Sequence, residues 1–209
     1  MMDWTLFLAP YRQAVDELVV KLRGYHTLQP ASAERSPIEM VTGRVKPVPS
    51  ILEKARRKAI PIEQIGEKMQ DLAGVRVMCQ FVDDIMKVVG WIRSRSDLTI
   101  LEERDYVHNK KPSGYRSYHL LIEYPVQTVA GQQKVLAEIQ IRTLAMNFWA
   151  TIEHSLNYKY EGNIPADVKE RLMNAAEAAF RLDEEMSEIR EEIVAAQKRF
   201  SEKETTPVI

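Results

Sequence analysis

Apolar residues recur along this chain in two rhythms, and the switches between them outline its elements. Phe7, Tyr11, Ala14, Leu18 and Leu22 return every three or four residues, which predicts a helix over 6–24 with one apolar stripe. Pro10 fits only the first turn of a helix, and Gly24 is expected to end this one. Residues 28–36 are polar and bracketed by Pro30 and Pro37, so they read as a loop. Gly43 and Pro47 exclude a helix over 42–47 and imply a defined loop. Ser50 is expected to cap a helix running to Lys58, and a second short helix fits between Pro61 and Met69. The rhythm then shortens to two. Strands are predicted over 75–81, 98–106, 117–124 and 135–142, the last two joined through a turn at Gly131. Between the first pair, a helix capped by Asp83 would bury Ile85, Val88, Val89 and Ile92.

After Thr143 the pattern is helical throughout. Leu144, Phe148, Ile152, Leu156 and Tyr160 form one stripe, broken at Asn163 and Pro165. Leu172, Ala175, Ala179, Leu182, Met186, Ile189, Ile193, Ala196 and Phe200 then sustain a heptad spacing. Such a seam suits packing back on the domain or contact between subunits. The expected architecture is α+β: a mixed sheet of about five strands flanked by helices. Its single domain would have a core over about 38–143, helices over 144–200 and a disordered polar tail over 201–209.

Composition narrows this picture. At 209 residues, 45% hydrophobic and 28% charged, the chain is an ordinary globular protein long enough to bury a core. Its net charge of -1 gives no global attraction to nucleic acid or membrane, so any basic site is local. The one cysteine, Cys79, lies in an apolar run and reads as a buried thiol. No secretory leader or membrane-length apolar run is visible, and a reducing cytoplasm is expected.

Four clusters carry candidate chemistry. Arg44, Lys46, Lys54, Arg57 and Lys58 make the most basic segment. It is either a solvated face or a polyphosphate grip of a kind other than the P-loop. Asp71, at a strand entrance, and Glu138, within a strand, are two carboxylates of the type that converge on Mg2+, although Asp71 suits a turn cap equally well. Tyr115, Ser117, His119 and Leu121 share a strand face just after Lys111 and Gly114. Tyr offers a stacking plate for a base, with Lys111 and His119 beside it for phosphate. Finally, Ala137, Ile139 and Ile141 alternate with Glu138, Gln140 and Arg142, a strand dry on one face and charged on the other. That polar face is either simply wet or the wall of a site.

Taken in order, Gly43-Arg44-Val45-Lys46, Asp71-Leu72-Ala73-Gly74-Val75-Arg76, Gly114-Tyr115-Arg116-Ser117-Tyr118-His119 and Glu138-Ile139-Gln140-Ile141-Arg142-Thr143 resemble the RelA/SpoT-type alarmone synthetase domain. The stretch from Thr143 to Gly162 resembles the small stand-alone, RelQ-like class, and the likeness runs from Leu6 to about Phe200. With no hydrolase or regulatory domain in the pattern, it implies a synthetase alone, one that moves pyrophosphate from ATP to the ribose 3′-hydroxyl of GDP or GTP.

The resemblance also implies roles for individual residues. Arg44 and Arg76 would hold ATP, with Arg44 on the adenine, and Lys46, Lys54 and Arg57 its phosphates. Asp71 would bind Mg2+, and Glu138 would share the metal or take the 3′-proton. Tyr115 would stack on guanine, with Lys111 and His119 on the acceptor's phosphates. The class forms homotetramers with an allosteric alarmone cleft, for which Thr42, Gly43 and Asn147 are compatible. Met40 stands where an aromatic is expected, and Val19 and His26 where basic residues are; these departures bear on alarmone activation alone. The alternatives are a degenerate synthetase serving as a nucleotide- or single-stranded-RNA-binding module, and a scaffold assembled on the C-terminal heptads.

Overall fold

The computed structural model describes residues 2–27, 35–159 and 164–204. Most of the expected 28–36 loop, the predicted break at Asn163, Tyr160 and the tail beyond Glu204 lie outside the described residues. The elements run α1 (Trp4–Thr27), β1 (Met40–Val45), α2 (Val48–Arg57), a 3-10 turn (Ile62–Gln64), α3 (Ile65–Lys68), β2 (Ala73–Cys79), α4 (Val82–Arg93), β3 (Thr99–Asp105), β4 (Tyr118–Thr128), β5 (Gly131–Thr143), α5 (Leu144–Lys159) and α6 (Ala166–Glu204). The five strands form one sheet in the order β1-β2-β5-β4-β3. Only the β2–β5 pair is parallel, so the sheet is mixed and the fold α+β, as expected.

One face of the sheet is the dry one. Val75, Ile139 and Leu120 lie side by side, as do Val77, Ile141 and Tyr118, and all are buried. The apolar stripe of α1 packs there through Tyr11, Ala14, Leu18 and Leu22, and α4 adds Ile85, Val88, Val89 and Ile92. Gly43 shows how closely α1 approaches. A Cβ at this position would lie 2.5 Å from Val15 Cγ1 and 2.7 Å from Val19 Cγ2. With α1 and α4 on this face, the opposite face is left for polar side chains.

Several boundaries differ from expectation. Residues 42–45 belong to an edge strand rather than a loop, because β1 pairs with β2 from Met40 to Val45. The helix expected to start at Ser50 starts at Val48 behind Pro47, with no side-chain cap. Pro49 lies in its first turn, where the missing N–H has no partner to lose. Asp83 lies inside the first turn of α4, whose N-cap is Phe81. Helix α1 starts at Trp4, where Asp3 Oδ1 accepts from the backbone N–H groups of Thr5 and Leu6. It keeps Pro10 inside and continues past Gly24, since its length is set by contact with the sheet.

The C-terminal helices divide the heptad stripe. Its start packs on the domain, with Trp149 Nε1 donating to Leu172 O and Ala179 against the Trp149 cluster, whereas Leu182, Met186, Ile189 and Ile193 are exposed. Helix α6 docks through Ala176, Asp183 and Ser187, a face that includes two polar residues. Thr143 Oγ1 donates to Asp183 Oδ2 at 2.5 Å and accepts from the backbone N–H of Met146 at 3.1 Å. The same threonine thus caps α5 and anchors α6. In α5, Met146, Trp149 and Ala150 are buried, while Leu144, Phe148, Ile152 and Leu156 face outward.

Candidate active site

Residues paired across a β-ladder project to the same side. The register therefore aligns Thr42, Arg76, Gln140, His119 and Arg104 in one row across all five strands, and Arg44, Gly74, Glu138, Leu121 and Glu102 in the next. Two sequence clusters far apart in the chain, Arg44–Arg76 and His119–Glu138, become neighbours because β5 lies between β2 and β4.

Glu138 is held from both sides. His119 Nδ1 lies 2.9 Å from its Oε1, and Gln140 Nε2 donates to its Oε2 at 2.6 Å. An ionised carboxylate only accepts, so Nδ1 carries the proton and Nε2 is free to accept. Tyr115 Oη lies 2.8 Å from His119 Nε2 and accepts from Arg142 Nη2 at 2.8 Å. Arg142 also donates to Gln140 Oε1, which closes a ring: Arg142, Tyr115, His119, Glu138, Gln140. Burial pushes the Glu138 carboxyl up, but the bonds from His119 and Gln140 outweigh it and hold it below its ordinary value. Burial raises the Tyr115 hydroxyl. Gln140 and Arg142, on the polar face of β5, are thus links of this ring. Arg142 is 4% exposed, braced further by Ser117 Oγ at 3.3 Å.

Asp71 enters from the loop before β2. Its Oδ2 takes Lys54 Nζ at 2.8 Å and Lys46 Nζ at 3.0 Å. Burial alone would raise its carboxyl; these two lysines lower it. Its Oδ1 is buried with no hydrogen-bond partner. An orphaned carboxylate oxygen beside a second carboxylate is what a hard cation with few protein ligands requires, so the residues present fit Mg2+. Among the described residues no group of three or more His, Cys, Asp or Glu is placed to hold a metal by itself. Such an ion would therefore share its coordination with substrate oxygens and water.

A cavity of about 160 Å3 is lined by Thr42, Arg44, Asp71, Arg76, Glu138 and Gln140, with Gly43, Gly74 and Val75. Burial, Arg142 and Arg44 all lower the Arg76 pKa, a sign of cations crowded without enough anions. Lys46, Lys54 and Arg57 line a second cavity of about 390 Å3 with Ser50, Glu53, Glu153 and His154. Lys58 does not line either cavity and is exposed.

On the β4 side, Lys111 Nζ lies 4.5 Å from the Tyr106 ring centroid and 4.7 Å from that of Tyr115. Burial lowers its pKa. Arg104, which sequence reading passed over, joins the row opposite His119 and is held by Glu102 and Gln70. The sequence of β3 does not alternate, so only the strand order and register show that Arg104 faces the site. Thr42 and Gly43 line the central cavity, whereas Asn147, on α5, does not.

This order of basic strand, carboxylate, tyrosine–histidine turn and glutamate matches residues 43–163 to the family described as the region found in RelA and SpoT proteins. The chain belongs to the RelA/SpoT family. It is 65% identical over 201 residues to GTP pyrophosphokinase YjbM of Bacillus subtilis (strain 168), spanning 96% of this chain and 95% of that protein. It is 40% identical over 195 residues to GTP pyrophosphokinase YwaC of the same organism, spanning 92% and 93%. Its fold matches the crystal structure of B. subtilis small alarmone synthetase 1 bound to its product pppGpp with a TM-score of 0.87, at 66% identity, covering 91% of this chain and 97% of that one. A structure of the same synthetase bound to AMPCPP matches with a TM-score of 0.79 at 63% identity, over 91% and 97%. Within the RelA/SpoT family the likeness therefore extends along nearly the whole of a small synthetase.

Proposed function

We propose that this chain is a GTP pyrophosphokinase that makes (p)ppGpp by moving the β,γ-pyrophosphate of ATP to the ribose 3′-hydroxyl of GDP or GTP. The observation that carries the reading is the pair of carboxylates in one cavity, Asp71 held by lysines and Glu138 held by His119 and Gln140. Transfer of this kind depends on positioning and charge neutralisation. Glu138 accepts the 3′-proton; its ionised state and fixed orientation suit it to that task. As the 3′-oxygen bonds to the β-phosphorus, the bond to the α,β-bridging oxygen breaks and AMP leaves with the electron pair.

The cavity that holds Arg44 and Arg76 takes the nucleoside end of ATP, with Arg44 against the adenine. Lys46, Lys54 and Arg57 take its phosphates in the adjoining cavity. Asp71 would hold Mg2+, with Glu138 beside it, and the ion supplies neutralisation of the phosphate charge when bound. Tyr115 offers its ring to guanine and Lys111 its ammonium to the acceptor phosphates. Both ring nitrogens of His119 already have protein partners, so a phosphate contact requires His119 to give one up.

The exposed apolar stripes of α5 and α6 support assembly into a homotetramer, tested by light scattering on Phe148→Lys and Ile189→Lys variants. An allosteric alarmone site would draw on Thr42, Gly43 and Asn147, of which Thr42 and Gly43 also line the cavity given to ATP. No described helix is long and apolar enough to cross a membrane, and the buried free Cys79 suits the cytoplasm. The decisive experiment incubates the purified protein with ATP, labelled GDP and Mg2+. A 3′-pyrophosphorylated product with stoichiometric AMP is expected, and its absence overturns the reading.

A further inference from the structure

The turn that carries Lys111 and Tyr115 is tied down by a helix that takes no part in the chemistry. The turn closes on itself through backbone bonds: Lys111 N–H donates to Tyr115 O at 3.1 Å and Gly114 N–H to Lys111 O at 2.8 Å. Its apex rests on α6. Gly114 has φ +87°, and a Cβ there would lie 2.6 Å from Ala176 Cβ. The residues flanking the turn point away from the site. Lys110 Nζ lies 2.5 Å from Glu177 Oε1, and Arg116 Nη2 lies 3.4 Å from Glu177 Oε2. Arg116 also lies 3.8 Å over the Phe180 ring and donates to Val107 O at 2.7 Å.

One carboxylate thus takes a cation from each end of the turn, one oxygen apiece. Lys110 immediately precedes Lys111, and Arg116 immediately follows Tyr115. Each clamp residue faces α6 while its neighbour faces the site. We propose that Glu177 is the positioning residue of the acceptor site: by bridging Lys110 and Arg116 it holds the turn on α6 and sets where Lys111 and Tyr115 meet the guanine nucleotide. This rests on the assignment of that side of the site to the acceptor. Glu177 touches neither substrate, and its effect passes through the turn.

The test compares the full-length protein with Glu177→Gln and Glu177→Asp. Surface ion pairs are individually weak, so losing both in Glu177→Gln should raise the KM for GDP about fivefold. The KM for ATP and the affinity for a non-hydrolysable ATP analogue should stay within about twofold of wild type. Glu177→Asp, which keeps the charge, should recover part of the GDP effect. Hydrogen exchange should quicken in residues 107–114 of Glu177→Gln while α6 keeps its protection. A GDP KM that does not move, an ATP KM that rises in step, or unchanged exchange in 107–114 would each overturn the proposal. If the wild-type protein forms no product, the synthetase reading fails, and the exchange comparison still decides whether Glu177 clamps the turn.

Discussion

Glu138 sits where three demands meet: ionisation, orientation and access to the cavity. Its two oxygens are fixed by His119 and Gln140, which makes the carboxylate a weak but always available base. Glu138→Gln should lower kcat at least about 100-fold, the scale of losing a general base, while the protein stays folded with an unaltered circular dichroism spectrum. Near-normal turnover would remove Glu138 from that role. Because its pKa is lowered in the free protein, the acid limb of the kcat/KM profile should fall below 4.5, the value of an unperturbed glutamate. The Tyr115 hydroxyl separates stacking from organisation. Tyr115→Phe keeps the ring but strips a partner from both His119 and Arg142. Steady-state kinetics should show kcat lowered about tenfold with little change in GDP KM. Tyr115→Ala should chiefly raise GDP KM.

At the scale of elements, two contacts set the placement of helices around the sheet. Gly43 lets α1 lie against β1, and Gly43→Ala should destabilise the fold by about 1–3 kcal/mol, read as a lower denaturation midpoint. The second contact is Asp183 with Thr143, which joins α6 to the end of β5. Burial pushes the Asp183 carboxyl up to about 6 from an ordinary 3.8, although the Thr143 bond opposes it. Between those values the folded chain keeps a proton that the unfolded chain has shed. This group's contribution to stability is therefore full below 3.8 and is lost as pH rises through about 6. Asp71 and Glu138, whose values are lowered, act in the opposite sense and lose their contribution as pH falls. Asp183→Asn should flatten the decline in melting temperature across pH 4 to 6, roughly the interval between the two Asp183 values.

For the molecule as a whole, the site is a crossing of long-range strand pairings. The carboxylates proposed for catalysis come from β5 and the loop before β2, the cations proposed for ATP from β1, the link after it, α2 and β2, and the residues proposed for the acceptor from the turn before β4 and from β4 itself. None of these is complete within a short segment. The outward stripes of α5 and α6 place apolar surface on the far side of helices whose inner faces hold the catalytic domain together.

Local rules were enough for much of this. Four of the five strands were legible, β2 and β5 from period-two runs, and the three-and-four spacing located α1 and α4 and their buried faces, because amphipathic patterning is a direct imprint of one-sided burial. Motif order was enough for the family. Where local and tertiary energies compete, the sequence was silent or misleading. β1 read as a loop because an edge strand needs only its neighbour's ladder bonds, not a strong pattern of its own. The heptads of α6 suited either the domain or a subunit contact; the docked face joins apolar Ala176 and Phe180 to the buried Asp183, whose bond from Thr143 is one that periodicity does not encode. Glu138, Asp71 and Tyr115 were named from residue type and order. That Gln140 and Arg142 close a ring with them, and that Glu177 reaches both ends of the acceptor turn, follows only from register and helix packing, which bring together side chains up to 67 positions apart in the chain.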